Sequence, residues 1–309
     1  MKAVILKQYG GAEQLELRDI ARPEPGPGQL RMRVVAATLN PGNVKRGAGA
    51  LRGLVPELEF PWVPGADFSG VVDALGAGVE GFAPGDEVFG YGGAGGAFAE
   101  FLVSEVDALA HKPRTLDHAG AASLAVVAQT AVQAFELGGL QAGQSLLILG
   151  AGGAVGNAAL QLARHRGVRV IAVCRARSAA RLVELGAEQV FDDAATPLET
   201  VVQGVDMVLD GLGGETARRA LSVLKPGGVL VALNGPPAED EAERLGVRAL
   251  FLRTQNRGNG LARLAAEIDA VPVRPFLARS YALAETAQAW RDFEAGGIEG
   301  KLVIRVGEA

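Results

Sequence analysis

The chain has 309 residues, of which 49% are hydrophobic and 21% charged, and its net charge is −5. This length predicts two domains, and the composition is that of a globular rather than a disordered chain. The negative charge and the few aromatic residues, with only three tyrosines and two tryptophans, argue against a nucleic-acid-binding protein. The single cysteine, Cys174, excludes an internal disulfide and is typical of a reducing compartment.

Neither the N-terminus nor the longest uncharged stretch indicates a membrane protein. The apolar run that begins at Ala3 is interrupted by Lys7 and is too short for a signal peptide. The uncharged segment 137–163 contains many glycines together with polar amides, so a strand, a turn and a helix explain it better than a membrane span. We therefore expect a soluble, cytoplasmic protein without a membrane partner.

Short apolar runs broken by Gly and Pro occupy the chain up to about residue 120. The runs typical of strands cover residues 1–7, 15–19, 30–36, 68–75 and 86–90. Turn-forming pairs such as Pro84-Gly85 separate them. This pattern predicts a mainly β domain over residues 1–120.

From residue 121 onward, strand-like and helix-like segments alternate. They cover Ser145–Leu149, Val155–Arg166, Arg169–Cys174, Ser178–Leu185, Val205–Asp210, Glu215–Leu224, Val229–Leu233 and Arg248–Leu252. Such alternation predicts a doubly wound parallel sheet with helices on both faces, over residues 121–272. The last apolar run, Lys301–Val306, has no partner in this series, so we expect residues 273–309 to complete the first domain.

A glycine-rich turn follows the first strand of this second domain. In a dinucleotide-binding fingerprint one glycine lets the backbone approach the pyrophosphate, and a later one lets the helix pack on the sheet. Gly153 and Gly156 occupy these two places, while an alanine stands where the first glycine usually is. The free N–H groups at the helix N-terminus favour phosphate binding. The predicted cofactor contacts are Gly150, Ala151, Gly152, Gly153, Ala154 and Val155.

The end of the second strand indicates which dinucleotide binds. NAD enzymes place Asp or Glu about 20 residues beyond the glycines to hold the ribose 2′-hydroxyl. Here the segment has no carboxylate and carries Cys174, Arg175, Arg177, Ser178 and Arg181. Guanidinium groups and a hydroxyl are suited to a 2′-phosphate, although surface arginines could also merely solvate a helix start. These residues predict NADPH as the cofactor.

Several motifs, in the same order along nearly the whole chain, resemble one family. They are Asn40-Pro41, 64–72, 82–88, 96–101, 129–131, 185–187, 210–214 and 300–303. The chain resembles the zinc-free quinone oxidoreductases (zeta-crystallin-like) of the medium-chain dehydrogenase/reductase superfamily. The resemblance implies a GroES-like mainly-β catalytic domain, a Rossmann cofactor domain and a homodimer formed through the cofactor domains.

The resemblance also implies further site residues. Asn40 is the candidate polar group beside the nicotinamide, although it could equally cap its own turn before Pro41. The family often has Asp where this chain has Asn43, which weakens a catalytic role for this loop. Further expected cofactor contacts are Thr130, Gly211, Leu212, Leu233, Phe251 and Leu252. For Thr130 a helix-interior position, and for the last two a place in the core, are alternative interpretations.

The zinc ligands of related alcohol dehydrogenases are missing from this sequence. Ala66 stands at the position of their ligand histidine, and no cysteine lies near Asn40 or Val126. The remaining candidates, His111, His118, His165 and Cys174, have no ligand spacing. We therefore expect no bound metal.

These features predict NADPH-dependent reduction of quinones or α,β-unsaturated carbonyl compounds by hydride transfer without zinc. The alternatives are an enoyl-thioester reductase and an NADPH-binding or sensing protein without turnover. Asp67 is more consistent with a structural hydrogen-bond acceptor than with a general base, and Tyr91 either lines or covers the substrate cleft. No Ser/His/Asp or Cys/His pattern suggests hydrolysis.

Overall fold

The computed structural model describes residues 1–192, 195–256 and 260–308. The chain forms two compact units, a first unit of Met1–Val126 with Asn256–Ala309 and a second unit of Val127–Gln255. The sequence placed the return to the first domain later, at residue 273. The difference arises because Asp269 accepts hydrogen bonds from the backbone N–H and the hydroxyl of Thr115, at 3.1 and 3.2 Å. The helix that carries Asp269 therefore packs with the first unit.

The first unit is mainly β. In chain order its N-terminal part contains β1 (Lys2–Leu6), β2 (Leu15–Asp19), β3 (Gln29–Leu39), α1 (Pro41–Gly47), β4 (Asp67–Leu75), β5 (Glu87–Tyr91), β6 (Phe101–Glu105) and β7 (Leu109–His111). The boundary with the second unit falls inside the next helix, α2 (His118–Gly138).

The second unit alternates strands and helices. It contains β8 (Ser145–Leu149), α3 (Ala154–His165), β9 (Arg169–Val173), α4 (Ala179–Glu184), β10 (Gln189–Phe191), β11 (Val205–Asp210), α5 (Gly214–Ala220), β12 (Leu224–Ala232), α6 (Glu239–Arg244) and β13 (Arg248–Phe251). The chain then returns to the first unit with α7 (Gly260–Ala270), β14 (Leu277–Ala282), α8 (Thr286–Ala295) and β15 (Lys301–Arg305).

The large sheet of the first unit has the strand order β14-β15-β3-β4-β5-β7, and β6 also pairs with β3. The long strand β3 organises it, since β15, β4 and β6 all pair antiparallel with β3. Leu302 lies opposite Leu39, and Asp67 lies opposite Thr38. The residues at the end of β3 and at the starts of β4 and β15 therefore lie side by side at one edge of the sheet.

The second unit is built on a six-stranded sheet with the order β10-β9-β8-β11-β12-β13, in which every pair is parallel. All five residues of β8 are buried, as expected for a parallel strand covered on both faces. Together with the mainly β first unit, this confirms the predicted fold class. The strand order reverses between β8 and β11, and ligands of such sheets bind at this switch point, beyond the carboxyl ends of the strands.

Candidate functional site

The glycine-rich turn between β8 and α3 is tightly packed. Gly150 has φ +78°, a conformation that glycine adopts without strain. A Cβ on Gly156 would lie 2.6 Å from the Cα of Ala151, so only glycine lets α3 approach the turn this closely. The N–H groups of Gly150 and Ala151 donate to the carbonyl of Val173 at 3.1 and 2.9 Å. The first-turn N–H groups of α3, including those of Ala154 and Val155, have no acceptor within the helix.

The arginine-bearing segment after β9 lies against this turn. A Cβ on Gly152 would stand 2.6 Å from the hydroxyl oxygen of Ser178. Cys174 and Ser178 are buried, Arg181 is half-buried, and Arg175 and Arg177 are exposed. The glycine turn and the cationic segment thus form one continuous surface at the carboxyl edge of the sheet.

One carboxylate near this segment was missed in the sequence. Asp192, which follows β10, accepts a hydrogen bond from the backbone N–H of Ala176 at 3.2 Å. Asp192 lies beyond the window in which a ribose-binding acid is usually sought, and only the pairing of β10 with β9 brings it here. Its hydrogen bond fixes the backbone between Arg175 and Arg177.

The predicted contacts from the later strands also lie at this edge. Asp210, at the end of β11, is buried and accepts hydrogen bonds from the N–H groups of Leu212 and Gly213 at 2.9 and 2.8 Å. This holds the loop that contains Gly211. The N–H of Leu233 donates to the Asp210 carbonyl at 3.0 Å, so the ends of β11 and β12 are tied together. Phe251 and Leu252 follow at the end of β13, where Phe251 is half-buried and Leu252 is buried.

Helix α2 contributes polar groups beside the segment that follows β13. Thr130 Oγ1 lies 3.3 Å from Thr254 Oγ1. Gln129 Nε2 donates to the carbonyl of Gln255 at 3.1 Å. Gln129 Oε1 is buried without a hydrogen-bond partner among the described residues, which leaves one acceptor for a ligand or water. Neither Thr254 nor Gln255 belongs to a recognisable motif.

In the first unit, Asn40 and Asn43 fix the backbone at the start of α1. The N–H of Asn40 donates to Asn43 Oδ1 at 2.9 Å, and the N–H of Asn43 donates to the backbone carbonyl of Asn40 at 3.0 Å. An aspartate at position 43 would accept the same bond. The side-chain oxygen of Asn40 accepts a hydrogen bond from Lys301 Nζ, a contact that the sequence does not reveal.

Asp67 is the buried centre of this cluster, with an exposure of 0%. Its Oδ2 accepts from Lys301 Nζ at 3.0 Å and from Thr38 Oγ1 at 3.1 Å, in keeping with the acceptor role expected from the sequence. Tyr91 is its cross-strand neighbour in β5. Burial, and to a lesser extent the charge of Asp67, raise the pKa of the Tyr91 phenol. Tyr91 is therefore a protonated donor at neutral pH.

In the first unit the side chain of His118 contacts those of Ser69 and Glu87, although no sequence pattern predicts this. His118 Nδ1 lies 2.8 Å from Ser69 Oγ, and its Nε2 lies 3.1 Å from Glu87 Oε1. The Ser69 hydroxyl also contacts the Val88 carbonyl at 2.8 Å, and its residue is fully buried. No substrate can reach this hydroxyl, so the arrangement is a structural network and not a hydrolytic site.

A catalytic zinc takes three protein ligands, and the described histidines are engaged in other contacts or lie apart. His118 is held by Ser69 and Glu87, and His111 stacks on Phe82 with ring centroids 4.8 Å apart. His165 lies in α3, in the other unit. In the described parts of the chain, no three His, Cys, Asp or Glu side chains are grouped as metal ligands would be.

No helix within the described residues combines the length and the hydropathy needed to cross a bilayer.

Residues 26–114 match the family of alcohol dehydrogenase GroES-like domains, and residues 185–304 match the zinc-binding dehydrogenase family.

Full-length relatives support both matches. Quinone oxidoreductase of Mus musculus is 31% identical over 98% of this chain and 97% of the relative. NADPH-dependent alkenal/one oxidoreductase, chloroplastic, of Arabidopsis thaliana is 33% identical over 98% of this chain and 79% of the relative. The solved structure of the quinone oxidoreductase from Coxiella burnetii, 31% identical, superposes with a TM-score of 0.90 over 99% of both chains. The chain therefore belongs to the medium-chain dehydrogenase/reductase superfamily of oxidoreductases, as a quinone oxidoreductase-like member.

Proposed function

We propose that the protein is an NADPH-dependent reductase of quinones or α,β-unsaturated carbonyl compounds that works without zinc. The observation that carries this proposal is the contact of the glycine turn with the arginine segment, where residue 152 directly abuts Ser178. One surface thus offers backbone N–H groups for a pyrophosphate and guanidinium groups for a further phosphate.

The cofactor assignment depends on charge. Arg175, Arg177 and Arg181 lie in one short segment with Ser178, and guanidinium forks match the geometry of phosphate oxygens. Bound NADPH would supply the hydride. The expected contacts from Gly211, Leu212, Leu233, Phe251, Leu252 and Thr130 remain part of the proposal, supported by their position at the carboxyl edge or beside it.

The substrate class follows from the donors that the chain offers. With no Lewis acid to polarise a carbonyl, the substrate must accept hydride readily, as quinones and enones do. Asn40 supplies an amide N–H and Tyr91 a phenol, and such donors stabilise the negative charge that develops on a carbonyl oxygen. Binding both reactants in a reactive orientation can contribute about 7–11 kcal/mol. Relatives named for quinones and alkenals support the same class.

We also propose a homodimer formed through the second unit. Among the described strands, β13 is the last of its sheet, with one edge unpaired in the strand order. A free edge of this kind can pair with a second copy. Light scattering would give twice the mass of the chain if the proposal holds, and the monomer mass if it does not.

The deciding experiment is the oxidation of NADPH by the purified protein with 1,4-benzoquinone, 9,10-phenanthrenequinone or an enone. NADH in place of NADPH tests the cofactor, and a chelator tests zinc. We expect turnover that prefers NADPH and is unaffected by the chelator. NADPH binding without reduction of any quinone or enone would contradict the proposal and favour an enoyl-thioester reductase or a non-catalytic NADPH-binding protein. Loss of activity with the chelator would contradict the zinc-free mechanism.

A further inference from the structure

The buried ion pair beside Asn40 is the feature that the proposed function leaves unexplained. Lys301 is 5% exposed and Asp67 is fully buried. Removing two charges from water is unfavourable, and an apolar pair of similar volume often stabilises a fold equally well or better. Stability alone is therefore a weak reason for placing a lysine here.

The chemistry of the ammonium group fixes the orientation of the Asn40 amide. A lysine ammonium only donates hydrogen bonds, so the atom of Asn40 that faces it must be the oxygen, as observed. The amide nitrogen Nδ2 then faces away from the ion pair. The backbone N–H of Asn40 is already held by Asn43 Oδ1 at 2.9 Å. The contact with Lys301 therefore restricts the side-chain torsions of Asn40.

Asp67 in turn holds the ammonium. Its Oδ2 accepts from Lys301 at 3.0 Å and from Thr38 at 3.1 Å, while its Oδ1 has no partner among the described residues. Because Thr38 and Asp67 face each other in β3 and β4, the carboxylate is anchored by two strands. The sheet therefore holds Asp67, Asp67 holds the ammonium group of Lys301, and this ammonium group holds the side chain of Asn40.

We propose that Lys301 is a positioning residue, which holds the Asn40 amide with Nδ2 toward the carbonyl oxygen of the substrate. The inference depends on the proposed function, in which Asn40 donates to that oxygen. A free amide could present either its oxygen or its nitrogen, and an oxygen would repel the negative charge that develops there. Misplacement of a reactive contact by about 1 Å can lower a rate roughly 100-fold.

A mutant cycle tests this coupling. Lys301→Met alone would leave Asp67 as an unpaired buried charge, so it is combined with Asp67→Asn, which keeps an acceptor for Thr38. We expect this double variant to lose about 100-fold in kcat for quinone reduction, with an unchanged Kd for NADPH. Introduced into Asn40→Ala, the same two changes should cause almost no further loss. An equal loss in both backgrounds would overturn the proposal.

Two control variants separate positioning from structure. Lys301→Arg keeps a cationic donor and should retain most of the activity. Lys112→Met removes another lysine of the same unit, whose side chain is 7% exposed and pairs with Glu87 at 3.3 Å, and should leave kcat unchanged. If Lys112→Met lowers kcat as much as the double variant does, the effect is structural and the proposal fails.

A measurement without turnover distinguishes this proposal from the proposed function. The side-chain ¹⁵N–H resonances of Asn40 can be assigned by their loss in Asn40→Ala. They should shift in the Asp67→Asn, Lys301→Met double variant and much less in Asp67→Asn alone. Unchanged resonances in the double variant would overturn the positioning role, whether or not the wild-type protein reduces any quinone or enone.

Discussion

Gly152 and Ser178 are packed so closely that a Cβ at position 152 would lie 2.6 Å from the serine hydroxyl oxygen. Gly153, one residue later, leaves 3.3 Å to its nearest neighbour, the carbonyl of Gly150. The two glycines therefore serve different parts of the proposed cofactor. In the proposed complex with NADPH, Gly152 would permit the approach of the arginine segment to the turn, and Gly153 would permit the approach of the pyrophosphate to the backbone.

Substitution of these glycines should change the affinity for the two dinucleotides differently. Gly152→Ala would displace Ser178, so we expect the Kd of NADPH to rise about tenfold, which corresponds to the loss of about one hydrogen bond. The change in the Kd of NADH should be smaller. Gly153→Ala should weaken both cofactors equally, because both contain a pyrophosphate. Fluorescence titration of each variant with NADPH and NADH measures the ratio. A ratio unaltered by Gly152→Ala would argue against the contact with the 2′-phosphate.

The arginines should determine the preference for NADPH. A charged hydrogen bond contributes about 1.5–3 kcal/mol, so Arg177→Gln should lower kcat/KM for NADPH roughly 10- to 100-fold and leave NADH nearly unchanged. Arg175→Gln is expected to act in the same direction.

The matched control for these variants is Arg169→Gln, at the opposite end of the same strand β9, where Arg169 is exposed and lies 3.9 Å from Glu188. Arg169→Gln should change neither kcat/KM for NADPH nor kcat/KM for NADH. If Arg169→Gln had the same effect as Arg177→Gln, the cause would be general charge and not a phosphate site.

The parallel sheet could be predicted because its strands are unusually apolar. β8 is buried throughout, β9 and β11 are buried over most of their length, and the glycine-rich fingerprint follows β8. In contrast, α2 has no clear amphipathic period, since most of its residues from Ala121 to Ala134 are buried. Periodicity detects a helix only when one face meets water, so this helix was not predicted.

The polar cluster around Asn40 was only partly predictable. Its motif identifies Asn40, but its partner Lys301 lies 261 residues away in the sequence. Lysine is normally exposed, so nothing in the sequence distinguishes Lys301 from a surface residue. Only the pairing of β15 with β3 brings the two together. The same reason conceals the contact of Ser69 with His118.

The stability of the protein should depend on pH through His118. Burial is the largest influence and lowers the pKa of His118, and the positive charge of Lys112 lowers it further. The negative charges of Glu87 and Asp117 raise it, but by less. The folded state therefore binds its proton less readily than the unfolded state does. The contribution of His118 to the free energy of unfolding is therefore complete above the ordinary histidine pKa of about 6.5, and it is lost as the pH decreases below that value.

Urea unfolding at several pH values tests this expectation. The free energy of unfolding of the wild type should fall more steeply below about pH 6.5 than that of His118→Gln. His111→Gln, in which an exposed histidine is replaced, should follow the wild type. Parallel curves for the wild type and His118→Gln would show that His118 titrates alike in both states.

Trp290 should be the most sensitive core position of the first unit. It lies in α8, is fully buried, and its ring would be 3.0 Å from a Cβ on Gly47. Its Nε1 donates to Glu294 Oε1 at 3.0 Å. Trp290→Ala should lower the free energy of unfolding by about 3–5 kcal/mol, because the residual cavity adds to the lost burial.

Glu294→Gln provides the control for the Trp290 prediction, since it keeps an acceptor for the indole and leaves the ring in place. Its effect on the free energy of unfolding should stay below about 1 kcal/mol, the size of one hydrogen bond. Thermal and urea unfolding of both variants decide between packing and hydrogen bonding as the main contribution. If Glu294→Gln were as destabilising as Trp290→Ala, the hydrogen bond and not the buried ring would stabilise this end of the first unit.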